Sequence, residues 1–512
     1  MNRAGALAVL LAVVGALALR LLQLDTRPLH GDEAVNAVKL TELWQQGRYA
    51  YDHDEYHGPT LHYFSLPFLW LAGPSYPDQL GDATLRLITV AFGVGLILLL
   101  LLTADGLGRI ATVVAGVLIA ISPAMIFYSR YFIHEMLLVF FTALTIGAGW
   151  RYHQTRMLRW AVVAGAGLGL MFATKETFVL ALAAMAAAVA IQWFWKNSAV
   201  PAAPGRTWNP RHLALGILAA LLVWLLLFSS FFTNWTGLVD SVRTYLPWLK
   251  RAGGHSPHLH PWSFYLERLA WFHPARSPVW SEGLILLLAL LGTGVSLISP
   301  RTPLHRFLAL YTIFLTAIYS VISYKTPWCL LGFFHGMILL AGVGAEALLQ
   351  FCRARAWRYA VVLALGALAV QLAWQAWRGA VVFAADPRNP YVYAQTGGKV
   401  RTLIERIEAV ARVNAAGADT VVKVIVPHSG YWPLPWYLRR LRHVGWYDSL
   451  PADPYAPIVV AASKYDLRLD EKSDHKWIMA GMTELRPQVF LELYVELELW
   501  KQYVATLPRE RD

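Results

Sequence analysis

The stretch of sequence that decides the fold lies at residues 4–33, AGALAVLLAVVGALALRLLQLDTRPLHGDE. Its apolar part has the length, roughly 20 residues, that a helix needs to cross the hydrocarbon core of a membrane. No small-residue cleavage site precedes Gln23, which predicts a retained helix and not a removed signal. The acids Asp32 and Glu33 follow directly, so a polar loop begins where the predicted span ends.

Ten further apolar runs predict additional membrane spans. They cover residues 84–103, 110–128, 133–150, 160–174, 177–195, 213–233, 281–299, 307–323, 328–350 and 359–379. The composition agrees, because 57% of the residues are hydrophobic and 15% are charged, whereas a soluble protein is about 25% charged. We therefore predict a polytopic α-helical membrane protein of about eleven spans.

Basic residues fix the predicted orientation. With the N-terminus inside, the cytoplasmic loops hold Arg3, Arg109, Arg151, Arg156, Arg159, Lys196, Arg206, Arg211, Arg301, Arg306, Arg353, Arg355 and Arg358. The short loops on the other side hold only Arg130, Lys175 and Lys325. The positive-inside rule then places the N-terminus in the cytoplasm. The net charge of +12 therefore reports membrane topology, and we expect membrane lipids, not nucleic acids, as partners.

The odd number of spans places residues 381–512 outside the cytoplasm. This part is nearly balanced in charge, with 17 basic and 16 acidic residues. It contains a Pro-rich linker at Asp386–Pro390 and a helical pattern at Val400–Val410. Two β-like runs follow at Thr420–Val426 and Ile458–Ala461, and an alternating stretch covers residues 491–497. We predict a membrane domain at residues 1–380 and a small extracytoplasmic α/β domain at residues 381–512.

The first external loop, residues 25–83, is acidic, with nine acids against three bases. Asp32 and Glu33 stand at the start of an amphipathic helical pattern in this loop. An acid at that position serves either as a helix cap or as a catalytic group, and the pattern leaves both interpretations open.

The same loop gathers side chains that are able to bind a metal. They are His53, Asp54, Glu55, His57 and His62. Their spacing matches no defined metal motif. We therefore predict no metal site and no required cofactor, with a bound divalent metal as the alternative.

The three external cations each stand at the mouth of a helix, beside an acid or an aromatic residue. Long basic side chains at span ends commonly reach toward water with no other role. Three of them on one face instead favour a shared site for a lipid phosphate, which Arg and Lys bind well. We expect the substrate pocket around it to include His57, His62, Tyr63, His134, Glu135, His255, Tyr324 and Trp328.

Two further segments have two interpretations each. The fourth external loop contains Gly253-Gly254 followed by His255, His258 and His260, which suits either a mobile lid over a cavity or an inert solvated loop. In the C-terminal domain, aromatic residues either hold a glycan or peptide acceptor or dock the domain onto the membrane part. These residues are Tyr431, Trp432 and Trp436.

These motifs, in this order and on one membrane face, resemble the GT-C superfamily of integral-membrane glycosyltransferases, specifically its dolichyl-phosphate-mannose-protein mannosyltransferases. Within that branch the chain is most similar to the prokaryotic family called flippase-activity-associated in archaeal N-glycosylation. The resemblance covers essentially the whole chain. It rests on Asp32-Glu33, His57-Gly-Pro-Thr-Leu61, Ser129-Arg130 with Glu135, Lys175, Tyr324-Lys-Thr-Pro-Trp328, Arg388-Asn-Pro-Tyr391 and Trp432-Pro-Leu-Pro-Trp-Tyr-Leu-Arg439.

The resemblance implies a sugar donor on a polyprenyl phosphate, and inverting transfer to a protein, lipid or glycan acceptor outside the cytoplasm. It implies that Asp32 is the general base and that Glu33 positions the base or the acceptor. It also implies that Arg130 and Lys175 hold the donor phosphate. The chain departs from the superfamily pattern at Gly58, where a proline is usual, and at His134, where an acid is often found.

Two other classes of protein remain as alternatives, a transporter or flippase for the lipid-linked sugar and a non-catalytic subunit of a glycosylation assembly. Transporters often have repeated halves and buried charges at mid-membrane. The sequence contains no internal repeat, and its ionisable residues gather at one face, which favours a transferase. We expect a multi-pass protein of the cell membrane, with its active site outside.

Overall fold

Helices form most of the described part of residues 3–382. The computed structural model describes residues 3–54, 57–73, 77–195, 209–248, 258–471 and 474–508. The helices of this part are α1 (Arg3–Leu21), α2 (Gly31–Gln46), α3 (Thr60–Ala72), α4 (Asp82–Leu99), α5 (Ala104–Leu107), α6 (Arg109–Ile121), α7 (Pro123–Ser129), α8 (Glu135–Thr155), α9 (Leu158–Phe172), α10 (Phe178–Phe194), α11 (Pro210–Phe228), α12 (Thr236–Arg243), α13 (Phe264–Ala270), α14 (Gly283–Ile298), α15 (Pro303–Val321), α16 (Leu331–Phe351) and α17 (Arg355–Trp377).

Each of the eleven predicted apolar runs coincides with a helix or, for residues 110–128, with the pair α6 and α7. In the described part of the chain, six helices are by themselves long and apolar enough to cross a membrane, or seven if the bent pair is one span. Three shorter apolar helices, α9, α10 and α14, come in addition. The chain is therefore a multi-pass membrane protein, while the count of eleven spans and their orientation stay predictions.

A buried arginine donates hydrogen bonds at the bend of 57° between α6 and α7. Pro123 has no N–H to continue the helix, and the carbonyls before it need other partners. Arg20 of α1 donates to the carbonyls of Ile119 at 2.9 Å and Ala120 at 3.2 Å, and to the Ser129 hydroxyl at 2.8 Å. The bend thus depends on α1, and it directs the chain toward the start of α8.

The C-terminal domain is built on one five-stranded sheet with the order β2-β1-β3-β5-β4. Its strands are β1 (Val422–Ile425), β2 (Val444–Tyr447), β3 (Ile458–Ala462), β4 (Trp477–Arg486) and β5 (Val489–Glu496). β1 is parallel to β2 and β3, whereas β5 is antiparallel to β3 and β4. The accompanying helices are α18 (Val400–Val413), α19 (Leu434–Tyr437) and α20 (Leu497–Ala505). This is the small α/β domain that the sequence predicts.

The aromatic segment of this domain docks onto the membrane part. Asp82, at the start of α4, accepts hydrogen bonds from Trp436 Nε1 at 3.2 Å and from the Tyr437 hydroxyl at 2.7 Å. Arg401 pairs with the same carboxylate at 3.1 Å. The Tyr437 hydroxyl also accepts the N–H of Leu29 at 2.7 Å. Trp436 therefore serves docking, and the contact holds the segment that leads into α2.

Candidate active site

The first turn of α2 directs two adjacent carboxylates in opposite directions. His30 is the N-cap, and its Nδ1 accepts the N–H of Asp32 at 3.0 Å. The Glu33 carboxylate returns to accept the N–H of His30 at 3.0 Å, which completes a capping box. The side chain of Glu33 is fully buried, while that of Asp32 is 55% exposed. Of the two interpretations open in the sequence, Glu33 is the cap, and Asp32 remains available to a ligand.

Both oxygens of Glu33 are saturated by protein groups. Arg86 donates to them at 2.8 and 2.9 Å, and the backbone N–H of Phe132 donates at 2.9 Å. Arg27 lies 3.5 Å away. Burial favours the neutral acid, but Arg86 and Arg27 overcome it and hold the pKa of Glu33 at about 2. Glu33 does not line the cavity described below, so the prediction of a catalytic role for it is corrected to a structural one.

A cavity of about 270 Å³ opens where α2, α8 and α10 begin. The start of α2 forms one wall, the turn between α9 and α10 a second, and the segment after α15 a third. The lining residues are Asp32, Val35, Asn36, His57, Ile133, His134, Glu135, Lys175, Thr177, Leu180, Trp248, Tyr319, Ile322, Tyr324, Thr326, Trp328 and Cys329. Asp32 therefore shares one space with groups from three distant parts of the sequence.

The cation of this cavity is Lys175, between α9 and α10. Its ammonium forms a buried ion pair with the carboxylate of Glu135, the first residue of α8. Burial disfavours the charged amine, but Glu135 outweighs it and raises the pKa of Lys175. The pair is thus a fixed dipole on the cavity wall, and a ligand phosphate would meet an ammonium that is already partly compensated.

The other two predicted phosphate ligands lie elsewhere. Arg130 closes the C-terminal end of α1, where it donates to the carbonyls of Arg20 at 3.0 Å, Leu22 at 2.6 Å and Gln23 at 2.9 Å. Lys325 donates to the carbonyls of His260 at 3.1 Å and of Ile322. Neither residue lines the cavity, so the predicted convergence of three cations is wrong for these two. Carbonyls at helix ends attract cations without any ligand.

A histidine of the cavity wall forms a hydrogen-bonded pair with a buried glutamate behind it. His57 donates from Nδ1 to the Glu176 carboxylate at 2.8 Å, and the Tyr51 hydroxyl donates to the other oxygen at 3.3 Å. Burial raises the pKa of Glu176, but the contact with His57 outweighs it, so that the net shift is downward. Glu176 is therefore held as the anion, and the tautomer of His57 is fixed.

Gly58 and His134, the two positions at which the sequence departs from the superfamily pattern, contact each other. Nε2 of His134 donates to the carbonyl of Gly58 at 3.0 Å. Gly58 in turn donates its N–H to the carbonyl of Thr174 at 3.1 Å. A Cβ at this position would lie 2.2 Å from the carbonyl oxygen of Ala173. A proline would have neither the N–H nor the room, so Gly58 allows the His57 segment to lie against residues 173–174.

Of the eight residues predicted for the substrate pocket, five line this cavity. They are His57, His134, Glu135, Tyr324 and Trp328.

Two of the remaining predicted pocket residues lie away from the cavity. His62 is buried, with its ring centre 4.9 Å from that of Tyr49, and burial lowers its pKa to about 3. The Tyr63 hydroxyl donates to Ser230 at 2.8 Å. Both residues are in α3, none of whose residues lines the cavity. The predicted His255 lies outside the described residues, as does most of the proposed lid.

Sequence reasoning missed three kinds of residue in the cavity wall or directly behind it. Asn36 is one turn beyond Asp32 on the same face of α2, a helical spacing that was available in the sequence. Glu176 follows Lys175 directly. Tyr319 and Trp248 enter from helices that the sequence treats as ordinary apolar and loop segments, and no local signal marks them.

The alternative metal site was predicted from His53, Asp54, Glu55, His57 and His62. Of these, His57 lines the cavity and Glu55 lies outside the described residues. Among the described residues, ligand atoms of Asp52, His53 and Asp54 lie within 4.8 Å of one another, and the two aspartates are exposed. None of the three lines the cavity. His53 is also 3.5 Å from Asp240. The geometry gives this cluster no part in the chemistry of the cavity.

Comparison with known proteins agrees with the fold. Residues 60–235 match the family described as dolichyl-phosphate-mannose-protein mannosyltransferase. ArnT from Cupriavidus metallidurans, bound to undecaprenyl phosphate, superposes with a TM-score of 0.59 at 16% identity, over 94% of this chain and 97% of that one. The archaeal oligosaccharyltransferase AglB from Archaeoglobus fulgidus, in complex with an inhibitory peptide and a dolichol-phosphate, gives 0.56 at 13% identity, over 91% and 70%. No curated protein matches the chain by sequence.

The chain therefore has the fold of the GT-C glycosyltransferases, with a region that is mannosyltransferase-like in sequence. This confirms the resemblance to that superfamily. The narrower likeness to the flippase-associated family stays a prediction. Lys175 and Glu135 lie within the matched region, whereas Asp32 and His57 precede it.

Proposed function

We propose that this protein is a glycosyltransferase that moves a sugar from a polyprenyl phosphate to an acceptor on the extracytoplasmic face, with inversion and with Asp32 as the general base. One observation carries the proposal: an exposed carboxylate and an ammonium, Asp32 and Lys175, line the same cavity at one end of a membrane bundle. The volume of about 270 Å³ is near the lower end of small-molecule sites, which measure about 300 to 1,000 Å³.

The chemistry asks for little beyond these groups. Asp32 takes the proton of the acceptor hydroxyl, and the hydroxyl oxygen attacks the anomeric carbon of the sugar. The bond from that carbon to the phosphate oxygen breaks, and its electron pair leaves with the lipid phosphate. Lys175 compensates the charge that develops there. A single displacement inverts the anomeric carbon, and no step requires a metal or another cofactor.

The lipid carriers bound to ArnT and AglB support a polyprenyl phosphate as the carrier here, and the inhibitory peptide of AglB supports a protein as one class of acceptor. The apolar helices beside the cavity suit a carrier that arrives from the membrane. Trp328 and Tyr319 on the cavity wall offer flat faces on which a sugar packs.

The test is conversion of label by purified protein in detergent, with a radiolabelled polyprenyl-phosphate hexose and a membrane extract as acceptor source. A transferase moves label from the lipid to a protein, lipid or glycan product. A flippase moves a lipid between two sides of a membrane, which do not exist in detergent, and an assembly subunit is not catalytic. Neither would therefore convert the labelled donor. Label that remains entirely on the donor lipid would overturn the proposal, whereas labelled product that depends on the protein would support it.

A further inference from the structure

The pair His57–Glu176 takes no part in the chemistry proposed above, although His57 lines the cavity. Glu176 is a buried carboxylate whose two oxygens receive Nδ1–H of His57 and the Tyr51 hydroxyl. The side chain of His57 is 36% exposed. Since Nδ1 is engaged, Nε2 is the ring nitrogen that meets a ligand, and no described residue occupies it.

The position of this histidine is held by backbone contacts. Gly58 and Thr60 donate their N–H groups to the carbonyls of Thr174 and Ala173, both at 3.1 Å. The hydroxyls of Thr60 and Thr174 are hydrogen-bonded at 2.8 Å. These contacts fix His57 next to the turn that carries Lys175 and Glu176. A buried carboxylate that orients an imidazole on a rigid support is the arrangement used for proton transfer.

The charge balance of the cavity calls for such a group. When the sugar leaves, its lipid phosphate changes from a diester-like monoanion to a monoester that gains one negative charge. The facing ammonium, Lys175, is already paired with Glu135. A phosphate monoester has a second pKa of about 6, within about one unit of an imidazole in water. A proton can therefore pass between the two groups at little cost.

We propose that His57, oriented by Glu176, donates a proton from Nε2 to the departing lipid phosphate. The inference rests on the proposed function. The acceptor proton passes to Asp32, the bond between the anomeric carbon and the phosphate oxygen breaks, and that oxygen takes the proton of His57. Afterwards Asp32 releases its proton to water and His57 takes one up. His57 is the catalytic residue of this step, and Glu176 is a positioning residue.

The titratable surroundings of His57 are defined. Glu176 lies on Nδ1, and the ring of His134 stands edge-on at 5.3 Å between centroids. Asp32 and the pair of Lys175 with Glu135 share the cavity wall. The carboxylate of Glu176 is thus the only described group in direct hydrogen-bond contact with the ring, so its removal has a predictable sign. Without this anion the charged ring is less favoured.

The experiment compares His57→Gln and Glu176→Gln with the matched control His53→Gln, which alters a half-buried histidine of the same loop that lies away from the cavity. Turnover at saturating donor is measured between about pH 5 and pH 8. His57→Gln should lower turnover about 100-fold or more, change the donor KM little, and lack the alkaline decline. Glu176→Gln should keep the decline but move it to lower pH. His53→Gln should behave as the unchanged protein.

A second measurement does not depend on transfer. Farnesyl phosphate binding in lipid nanodiscs should weaken as the pH rises through the imidazole range, and His57→Gln should show less of this dependence. If the protein binds in this way but transfers no sugar, the proposed function fails and the phosphate contact of His57 stands. If transfer occurs but His57→Gln keeps both the alkaline decline and the binding profile, the inference is overturned. Should His57→Gln not fold, an unmoved decline in Glu176→Gln overturns it equally.

Discussion

Two charged clusters meet at Asp32 and Glu33, and both combine basic with acidic side chains. In the buried arginine cluster, Arg27, Arg86 and Arg130 all donate to backbone carbonyls, and Arg86 and Arg27 also contact the carboxylate of Glu33. The cavity cluster consists of Asp32, His57, Glu135, Lys175 and Glu176. All but the buried Glu176 line the cavity, although Lys175 is paired with Glu135 and His57 with Glu176. The presence of charged side chains therefore does not by itself distinguish the two clusters. What separates them is whether a charged group has an unoccupied direction.

The largest effect should come from breaking the buried arginine cluster. Glu33→Gln leaves Arg86 and Arg27 without their shared anion, and the loss of one partner of a buried pair costs about 3 to 5 kcal/mol. Thermal unfolding in detergent, followed by tryptophan fluorescence, should show a Tm lower by several degrees. Glu42→Gln, on the exposed face of the same helix, should change stability by less than about 0.5 kcal/mol. Equal Tm values for the two variants would mean that the cluster is not structural.

The second prediction compares the removal of one positive charge from each cluster, by its effect on phosphate binding and on the Tm. Lys175→Gln should weaken farnesyl phosphate binding about tenfold to hundredfold, because a hydrogen bond to a charged group contributes about 1.5 to 3 kcal/mol. Arg130→Gln should lower the Tm, because the carbonyls at the end of α1 lose their donor, and the folded protein should bind the phosphate normally. Isothermal titration in nanodiscs measures the affinities. Weakened binding by Arg130→Gln at an unchanged Tm would assign the phosphate to Arg130 instead.

The pH dependence of stability provides a smaller effect of defined sign. The pKa of Glu33 falls from 4.5 to about 2 in the folded protein. A lowered folded-state pKa contributes stability that is complete above about pH 4.5 and is lost as the pH falls toward 2. Each pH unit in that interval removes about 1.4 kcal/mol. The Tm difference between the unchanged protein and Glu33→Gln should therefore be constant near neutrality and shrink below about pH 4.5. A difference that is independent of pH down to 3 would contradict an ionised, buried Glu33.

The smallest predicted effect concerns docking of the C-terminal domain. Trp436→Phe removes the hydrogen bond to Asp82 and keeps most of the aromatic packing, so the expected cost is about 1 kcal/mol. The measurement is the rate of proteolytic release of the domain, which should rise a few-fold. Trp271→Phe, which alters an exposed tryptophan, serves as the control. An unchanged release rate would show that this contact does not hold the domain.

Much of the architecture could be predicted from local pattern. The apolar runs gave the helix positions, because burial in hydrocarbon demands continuous hydrophobic length. In the C-terminal domain the helix Val400–Val413 and the strands Val422–Ile425 and Ile458–Ala462 follow from periodicity. The strands β2 and β4 were missed. β2 has four half-buried residues and includes a glycine, and β4 alternates poorly because it is an edge strand with a register shift.

The site was predictable only in part, because a sequence does not show which basic side chains will donate their hydrogen bonds to backbone carbonyls. Arg130 and Lys175 both violate the expected charge distribution, yet Arg130 meets carbonyls at the end of α1, more than a hundred residues away in sequence. Lys175 meets a carboxylate in a cavity. The capping box did have a local signal, because Glu33 stands three residues after His30. That spacing assigns Glu33 to the cap and leaves Asp32 to the ligand.

We expect the function to depend on charged side chains that face the cavity, and a substitution of Asp32 tests this expectation most directly. Label transfer from a polyprenyl-phosphate hexose is measured for Asp32→Asn beside Asp54→Asn, an exposed aspartate of the same loop away from the cavity. We predict that Asp32→Asn loses transfer by at least about 100-fold with an unchanged Tm, while Asp54→Asn keeps the full rate. Transfer by Asp32→Asn at the rate of the unchanged protein would contradict the account.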